Sequence, residues 1–367
     1  MKVDVITRHA VTNYGSLLQT IAMQHVVESM GHECEIIDYI RDDETSLNLE
    51  KTILKSKPTW NNNIIKKALY LTLRIPESVY AGKKFEKARK THLNLSRRYS
   101  SLNQLKEDKP KADVYMTGSD QVWGPVQDGT NDSAYCLSFT KDEDKRIAYA
   151  ASFGHTDMTS EKNLFFKTWL NRYNQIAVRE DSALDILRKL GLNAAQVVDP
   201  TLLLDSAFWD KFAQPIKQKK YVLVYQIHND KRVGEYAKRV SERMNLPLIR
   251  ISASFHQITR EGKFAYLPSI GEFLSYIKNA EVMVTDSFHG TAFALNYNVD
   301  FVEVLPNNKT GTRNMSILNM TGLTDRILAD ENDTSLALKK INYENVNKIL
   351  SDERAKSLKI LKQMIEE

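Results

Sequence analysis

Residues 2–40 read KVDVITRHAVTNYGSLLQTIAMQHVVESMGHECEIIDYI, and this stretch decides the fold class. Lys2 to Thr7 alternate β-branched and polar residues, which predicts a strand. A short loop, Arg8 to Gly15, follows. From about Ser16 to Met30, the residues Leu17, Leu18, Ile21, Met23 and Val26 recur at helical spacing. Ser16 is a suitable N-cap for that helix, and Gly31 supplies a left-handed residue to end it. Cys34 to Ile40 then forms a second strand. Strand, helix and strand in succession open a parallel sheet.

Working outward, residues 41–110 carry no strand signal. They read as a polar linker and two helices, about 61–75 and 77–97, broken at Pro76. The sheet pattern resumes at 112–117, 146–152 and 175–178, with helices at 160–173 and 181–190. A short strand at 196–198 runs into Asp199-Pro200. Beyond about 215 the alternation restarts, with strands at 221–227, 248–252, 281–285 and 300–305 and helices at 231–245, 270–279 and 290–297. The predicted fold class is α/β, with two doubly wound Rossmann-like domains in a GT-B-like arrangement and a basic helical insertion in the first. Ligands are expected in the cleft facing the carboxyl ends of the strands. The expected domains are 1–205, with the insertion at about 41–110, and 206–330. A helical tail, 331–367, packs back across them.

Composition bounds the function. A chain of 367 residues, 42% hydrophobic and 26% charged, is that of a folded globular protein. Its apolar runs, such as Tyr221 to Tyr225, fall far short of the ~20 residues that span a bilayer. The N-terminus lacks an apolar signal region, so a cytoplasmic protein is expected, peripheral at the inner face of the membrane if it docks there. Cys34 and Cys136 sit far apart in apolar runs and read as buried free thiols. There is no Walker loop, no GxGxxG turn and no HxxxH or CxxC metal spacing. Neither a metal nor a resident cofactor is expected.

Three loops follow strands and open helices. Asn13-Tyr14-Gly15-Ser16 offers a glycine for close backbone approach and a helix N-terminus for an anion. Ser119, Asp120 and Gln121 follow Gly118 and precede Trp123, a mixture that lines a sugar pocket or forms a turn over a buried Trp. Asp286-Ser287-Phe288-His289-Gly290-Thr291 is the sharpest of the three, because it sets a titratable imidazole at a helix N-terminus. Arg179, at the end of its strand, and Lys309 and Arg313, in a Gly-containing loop, suit carboxylate or phosphate recognition. A Ser287–His289–Asp286 triad is disfavoured, since residues so close in sequence rarely take that geometry and no nucleophile elbow is present.

Taken in order, Asn13-Tyr14-Gly15-Ser16-Leu17-Leu18-Gln19, Gly118-Ser119-Asp120-Gln121-Val122-Trp123, Val178-Arg179-Glu180, Val198-Asp199-Pro200-Thr201-Leu202-Leu203-Leu204 and Ser287-Phe288-His289-Gly290 resemble the polysaccharide pyruvyl transferase family. The likeness covers residues 1–40 and 112–321. It implies a transferase that installs the enolpyruvyl unit of phosphoenolpyruvate on a sugar as a cyclic ketal. The acceptor would be a lipid-diphosphate-linked oligosaccharide or another precursor of capsule, exopolysaccharide or surface glycan. It also implies His289 as general acid and Arg179 as donor-binding residue. Two alternatives stay open, a GT-B glycosyltransferase using a nucleotide sugar and a catalytically silent sugar-binding relative.

The resemblance does not reach residues 41–110, where charge concentrates. Between Lys51 and Arg98 there are thirteen Lys and Arg against two acids, Glu77 and Glu86, in a chain whose net charge is +5. Trp60, Tyr70, Tyr80 and Phe85 interleave with these bases. The segment reads as a solvated helical face or a dock for an anionic membrane surface. Nucleic acid is not an expected partner, because no recognised module accompanies the basic block.

Overall fold

The computed structural model describes residues 1–156, 158–306 and 311–367. Twelve strands form two sheets, and every pairing is parallel. The first sheet contains β1 (Lys2–Ile6), β2 (Glu33–Tyr39), β3 (Leu95–Tyr99), β4 (Val114–Thr117), β5 (Lys145–Ala151), β6 (Gln175–Val178) and β7 (Ala195–Gln196). Its spatial order is β3-β2-β1-β4-β5-β6-β7. The second contains β8 (Val222–Tyr225), β9 (Leu248–Ser252), β10 (Lys263–Tyr266), β11 (Val282–Thr285) and β12 (Phe301–Glu303), in the order β10-β9-β8-β11-β12. Central strands covered on both faces must be apolar throughout, and β1, β4, β8 and β11 are buried along nearly their whole length. The α/β class and the pair of doubly wound sheets are therefore as expected.

The chain divides into two compact units. The first is Met1–Val178, Ala183–Gln196 and Leu361–Glu367; the second is Arg179–Ser182 and Val197–Ile360. The sequence reading divides the chain at 205/206 and sets the tail 331–367 apart. The last helix, Tyr343–Glu366, belongs to the second unit up to Ile360, while Leu361, Met364 and Ile365 are buried with the first. Each unit has its own core. In the first, Tyr115, Trp123, Phe153 and Phe166 pack over the sheet. In the second, Val222, Val224, Tyr236 and Val284 do so. Cys34 and Cys136 are buried free thiols.

Three local expectations are corrected. Residues 64–92 form one helix, Ile64–His92, with Pro76 inside it. Pro76 removes only the bond to the Thr72 carbonyl, and both residues face water. Inner-face contacts on both sides hold the helix through that position. Tyr70 donates to Glu50 at 2.7 Å, and Phe85 packs on Tyr14 with ring centroids 5.1 Å apart. Residues 95–97, read as the end of the second helix, belong instead to the edge strand β3, in which Arg98 donates to Asp38 of β2 at 2.7 Å. An edge strand exposes a face, so its polar sequence hides it. Finally, the first helix spans Tyr14–Ser29 and is capped by Asn13, not Ser16; the Asn13 carboxamide accepts from the Gly15 and Ser16 amides at 2.8 and 3.3 Å.

Candidate active site

In a doubly wound sheet, loops diverge where the winding reverses, leaving a crevice at the carboxyl ends of the two strands on either side. That point lies between β1 and β4 in the first unit and between β8 and β11 in the second. The three loops singled out in the sequence are the loops after β1, β4 and β11.

In the second unit, Asp286 stitches the two crevice loops together. Its buried carboxylate accepts the Ile227 amide at 2.7 Å and the His228 amide at 3.0 Å, and the His228 ring stands 3.4 Å away. Thr285 donates its hydroxyl to Tyr225 O at 2.7 Å and accepts the Ser287 amide at 3.1 Å. Helix Phe288–Tyr297 begins there, with Ser287 as N-cap accepting Gly290 N at 3.2 Å. Gly290 is needed for packing, because a Cβ would lie 2.6 Å from Thr285 Oγ1 and 3.1 Å from a Tyr225 ring carbon. Thr291 is fully buried, and its hydroxyl is committed to Glu303 at 2.5 Å and to Ser287 O at 3.2 Å. Asn314 donates to the other Glu303 oxygen at 2.6 Å. Burial pushes the Glu303 carboxyl up to about 8.

His289 is the second residue of this helix, where first-turn amides lack intrahelical partners and the dipole is positive. Its ring meets the Phe288 ring edge-on at 5.2 Å, and its Nε2 lies 3.8 Å from Asp199 Oδ2. That separation is too long for a hydrogen bond. The same Asp199 oxygen accepts Arg179 NH1 at 2.6 Å. The Arg179 guanidinium also stands over the Phe288 ring at 4.6 Å, with its Nε 3.5 Å from Glu180. Asp199, Arg179 and His289 are all nearly inaccessible to water. Burial alone would raise the Asp199 carboxyl, but His289, Arg179 and the Thr201 amide outweigh it and hold the group far below the usual carboxylate range. The result is one permanent buried anion that orients an arginine and faces a histidine, all within one unit.

Arg313 lies half-buried at the second position of helix Thr312–Thr321, whose Ser316 bonds the Asp181 amide at 3.0 Å. Arg313 thus begins the helix that packs on the segment carrying Arg179. Lys309 lies outside the described residues.

In the first unit, the loops after β1 and β4 are joined directly, as Ser16 donates its hydroxyl to Asp120 at 2.5 Å. Asp120 has φ +82°, a left-handed conformation that costs an L-residue roughly 1–3 kcal/mol. Its other oxygen accepts the Gln121 amide at 2.8 Å. Ser119 is fully buried, with its carbonyl accepting the Thr7 hydroxyl at 2.7 Å. Gly15 and Tyr14 are also buried, Tyr14 against Phe85. Trp123 is core, packed on Phe153 at 5.0 Å, so the turn-over-buried-Trp reading holds there. Arg8 bridges the loops, donating to Gln121 O at 3.4 Å, Pro125 O at 3.1 Å and Glu44 at 3.2 Å. A separate cavity of about 590 Å³ opens beyond the ends of β2 and β3, where Arg41 pairs with Asp43, Asp128 and Asp132.

Sequence reading missed Asp199 as a site residue, along with Asp286, His228, Phe288 and Arg8. Asp199-Pro200 reads as an N-cap before a helix-starting proline, and it does cap helix Pro200–Leu203. His228 carried a usable signal, since it follows β8 by the same rule that selects His289. Among the described residues no group of three or more His, Cys, Asp or Glu could hold a metal.

The chain matches the family model described as polysaccharide pyruvyl transferase over residues 13–308. It is similar to the UDP-GlcNAc 2-epimerase of Methanocaldococcus jannaschii, with TM-score 0.50 and 14% identity, covering 96% of this chain and 92% of that one. It is also similar to the S. aureus MnaA–UDP co-structure, with TM-score 0.50 and 12% identity, covering 97% and 90%. At such identities the likeness concerns the fold alone, two Rossmann-like sheets in series as in the GT-B class. No curated protein matches the chain.

Proposed function

The chain belongs to the polysaccharide pyruvyl transferase family, and we propose that it transfers the enolpyruvyl unit of phosphoenolpyruvate to two hydroxyls of one sugar, forming a cyclic ketal. The observation that carries this reading is the Arg179–Asp199–His289 cluster at the second unit's crevice. It combines a fixed cation for an anionic donor with an imidazole held beside a buried carboxylate.

The steps balance as follows. Protonated His289 delivers its proton to the methylene carbon of phosphoenolpyruvate, and positive charge develops at C2. One sugar hydroxyl attacks C2 and returns its proton to the imidazole. The C2–O bond to phosphate then breaks, and a second hydroxyl attacks, its proton leaving with the phosphate. General acid help of this kind is worth ~10²–10⁴-fold. Asp199 Oδ2 stands 3.8 Å from the His289 Nε2 and fixes which way that ring edge faces. Arg179 suits the donor carboxylate, and the helix N-terminus at Ser287 suits its phosphate. The acceptor we propose is a lipid-linked oligosaccharide or another surface-polysaccharide precursor.

The test is phosphate release from phosphoenolpyruvate with a panel of oligosaccharide acceptors, with the product read by NMR for a ketal methyl group. Acceptor-dependent release with that signal supports the reading. Release absent with every acceptor, while a nucleotide sugar is consumed, overturns it.

A further inference from the structure

Helix Ile64–His92 has two faces that the transferase reading leaves unexplained. Its inner face, with Tyr70, Ala81, Phe85 and Arg89, is buried against the first unit. Its outer face carries a run of large apolar side chains turned to water. Ile65 is 74% exposed, Leu69 51%, Leu73 63% and Tyr80 58%. Their spacing of four, four and seven residues, with exposed Ala68, Thr72 and Pro76 between them, places them on one stripe roughly 22 Å long at ~1.5 Å per residue. Single exposed apolar residues need no explanation, but an ordered row of them does.

The same face continues into Lys83, Lys84 and Lys87, with Lys66 beside its start. Glu77 pairs with Arg74 at 2.5 Å and Glu86 with Lys90 at 2.8 Å, and between Lys51 and Arg98 thirteen bases outnumber these two acids. Elsewhere the chain is acidic on balance, so the excess positive charge is concentrated beside the stripe. An apolar strip bordered by lysines matches a surface with an oily interior and an anionic boundary.

We infer that the outer face of helix Ile64–His92 seats the protein on an anionic lipid bilayer, with Ile65, Leu69, Leu73 and Tyr80 entering the headgroup–acyl boundary and the lysines meeting lipid phosphates. This geometry is that of an interfacial helix lying in the membrane plane. Among the described residues no helix is long and apolar enough to cross a membrane. The inference is independent of the proposed chemistry, because its readout is binding and not turnover.

The experiment is co-sedimentation of the full chain with vesicles of phosphatidylcholine alone and of phosphatidylcholine mixed with phosphatidylglycerol. The wild type is expected to bind the mixed vesicles at low salt and to be released as salt is raised. Lys83→Gln/Lys84→Gln/Lys87→Gln should weaken binding by roughly 100-fold, at about fivefold per lysine. Leu69→Glu/Leu73→Glu should weaken it at least as much, given about tenfold or more per leucine no longer inserted. Both sets lie on exposed positions, and unchanged far-UV circular dichroism and melting would verify their folds. Equal binding to both vesicle types, or variants that bind like wild type, overturns the inference. So does a dimer in light scattering that Leu69→Glu disperses while vesicles fail to bind.

Discussion

Replacing Asp199 with asparagine removes one buried charge while keeping the side chain's shape, which isolates what that charge does for the second unit. Asp199 Oδ2 is 2.6 Å from Arg179 NH1 and 3.8 Å from His289 Nε2, in a setting closed to water. Breaking one partner out of a buried pair costs ~3–5 kcal/mol, because the remaining charge is left uncompensated. Part of that cost is spared here. Glu180 stands 3.5 Å from Arg179 Nε, and the Phe288 ring underlies the guanidinium. The expected loss is therefore at the lower end, about 3 kcal/mol at neutral pH. For a unit of this size that is a drop in melting temperature of roughly 6–12 °C, followed by the fluorescence of Trp209, the second unit's buried tryptophan. The pH dependence gives the sharper check. The folded carboxyl is held below its usual range, so its contribution is fully present above the unfolded value of ~3.9 and fades as pH falls toward the folded one. The gap between wild type and Asp199→Asn should thus be constant from pH 5 to 7 and narrow below about 4. A difference under ~1 kcal/mol at pH 7, or a gap that does not narrow in acid, would refute the idea that Asp199 holds Arg179 as a buried anion.

Other consequences follow from the same crevice. His289→Ala should lower turnover by ~10²–10⁴-fold with little change in melting, since Arg179 still neutralises Asp199; near-normal turnover would remove His289 from the acid role. Gly290→Ala should destabilise the second unit by about 1–3 kcal/mol, measured in urea, because its Cβ would press on the Thr285 hydroxyl. Unchanged stability would mean that the helix can shift away from β11. Glu303 behaves oppositely to Asp199, because burial raises its carboxyl to about 8, so the folded state keeps a proton that the unfolded chain releases. Stability is therefore lost as pH rises through that range, and Glu303→Gln should gain on wild type between pH 5 and 8. Parallel stability curves would show that Glu303 is charged in the folded protein.

Much of this architecture could be read directly from residues. Strand-helix-strand alternation located the central strands because buried parallel strands must be apolar on both faces, as in Val282-Met283-Val284. The edge strands β3 and β10 escaped, since Leu95-Ser96-Arg97-Arg98-Tyr99 and Lys263-Phe264-Ala265-Tyr266 each keep one face for water or loops. Pro76 misled for a related reason. A local rule predicted a break, and tertiary contacts on either side overrode it. At the site, the reading found the loops but not their partners. A residue that follows a strand and opens a helix announces itself, as His289 and Ser16 do. Asp199 does not, because its local pattern is that of an N-cap, and its pairing with Arg179 and His289 joins residues 20 and 90 positions apart in the chain. Thr291 and Gly290 belong to the same short motif as His289, but the helix turns them inward, toward Glu303 and Thr285.

The measurement that bears most directly on the central claim is thermal shift of the full chain with phosphoenolpyruvate and, separately, with a panel of nucleotide sugars, on wild type and Arg179→Lys. Lysine keeps a charge beside Asp199 and so spares the fold, yet it lacks the planar fork that binds a carboxylate through two donors. A ligand at ~100 times its dissociation constant adds about 2.7 kcal/mol of apparent stability. Phosphoenolpyruvate should raise the melting temperature of wild type, and the shift should be largely lost in Arg179→Lys. Stabilisation by a nucleotide sugar, with none from phosphoenolpyruvate, would contradict it and assign the crevice to glycosyl transfer.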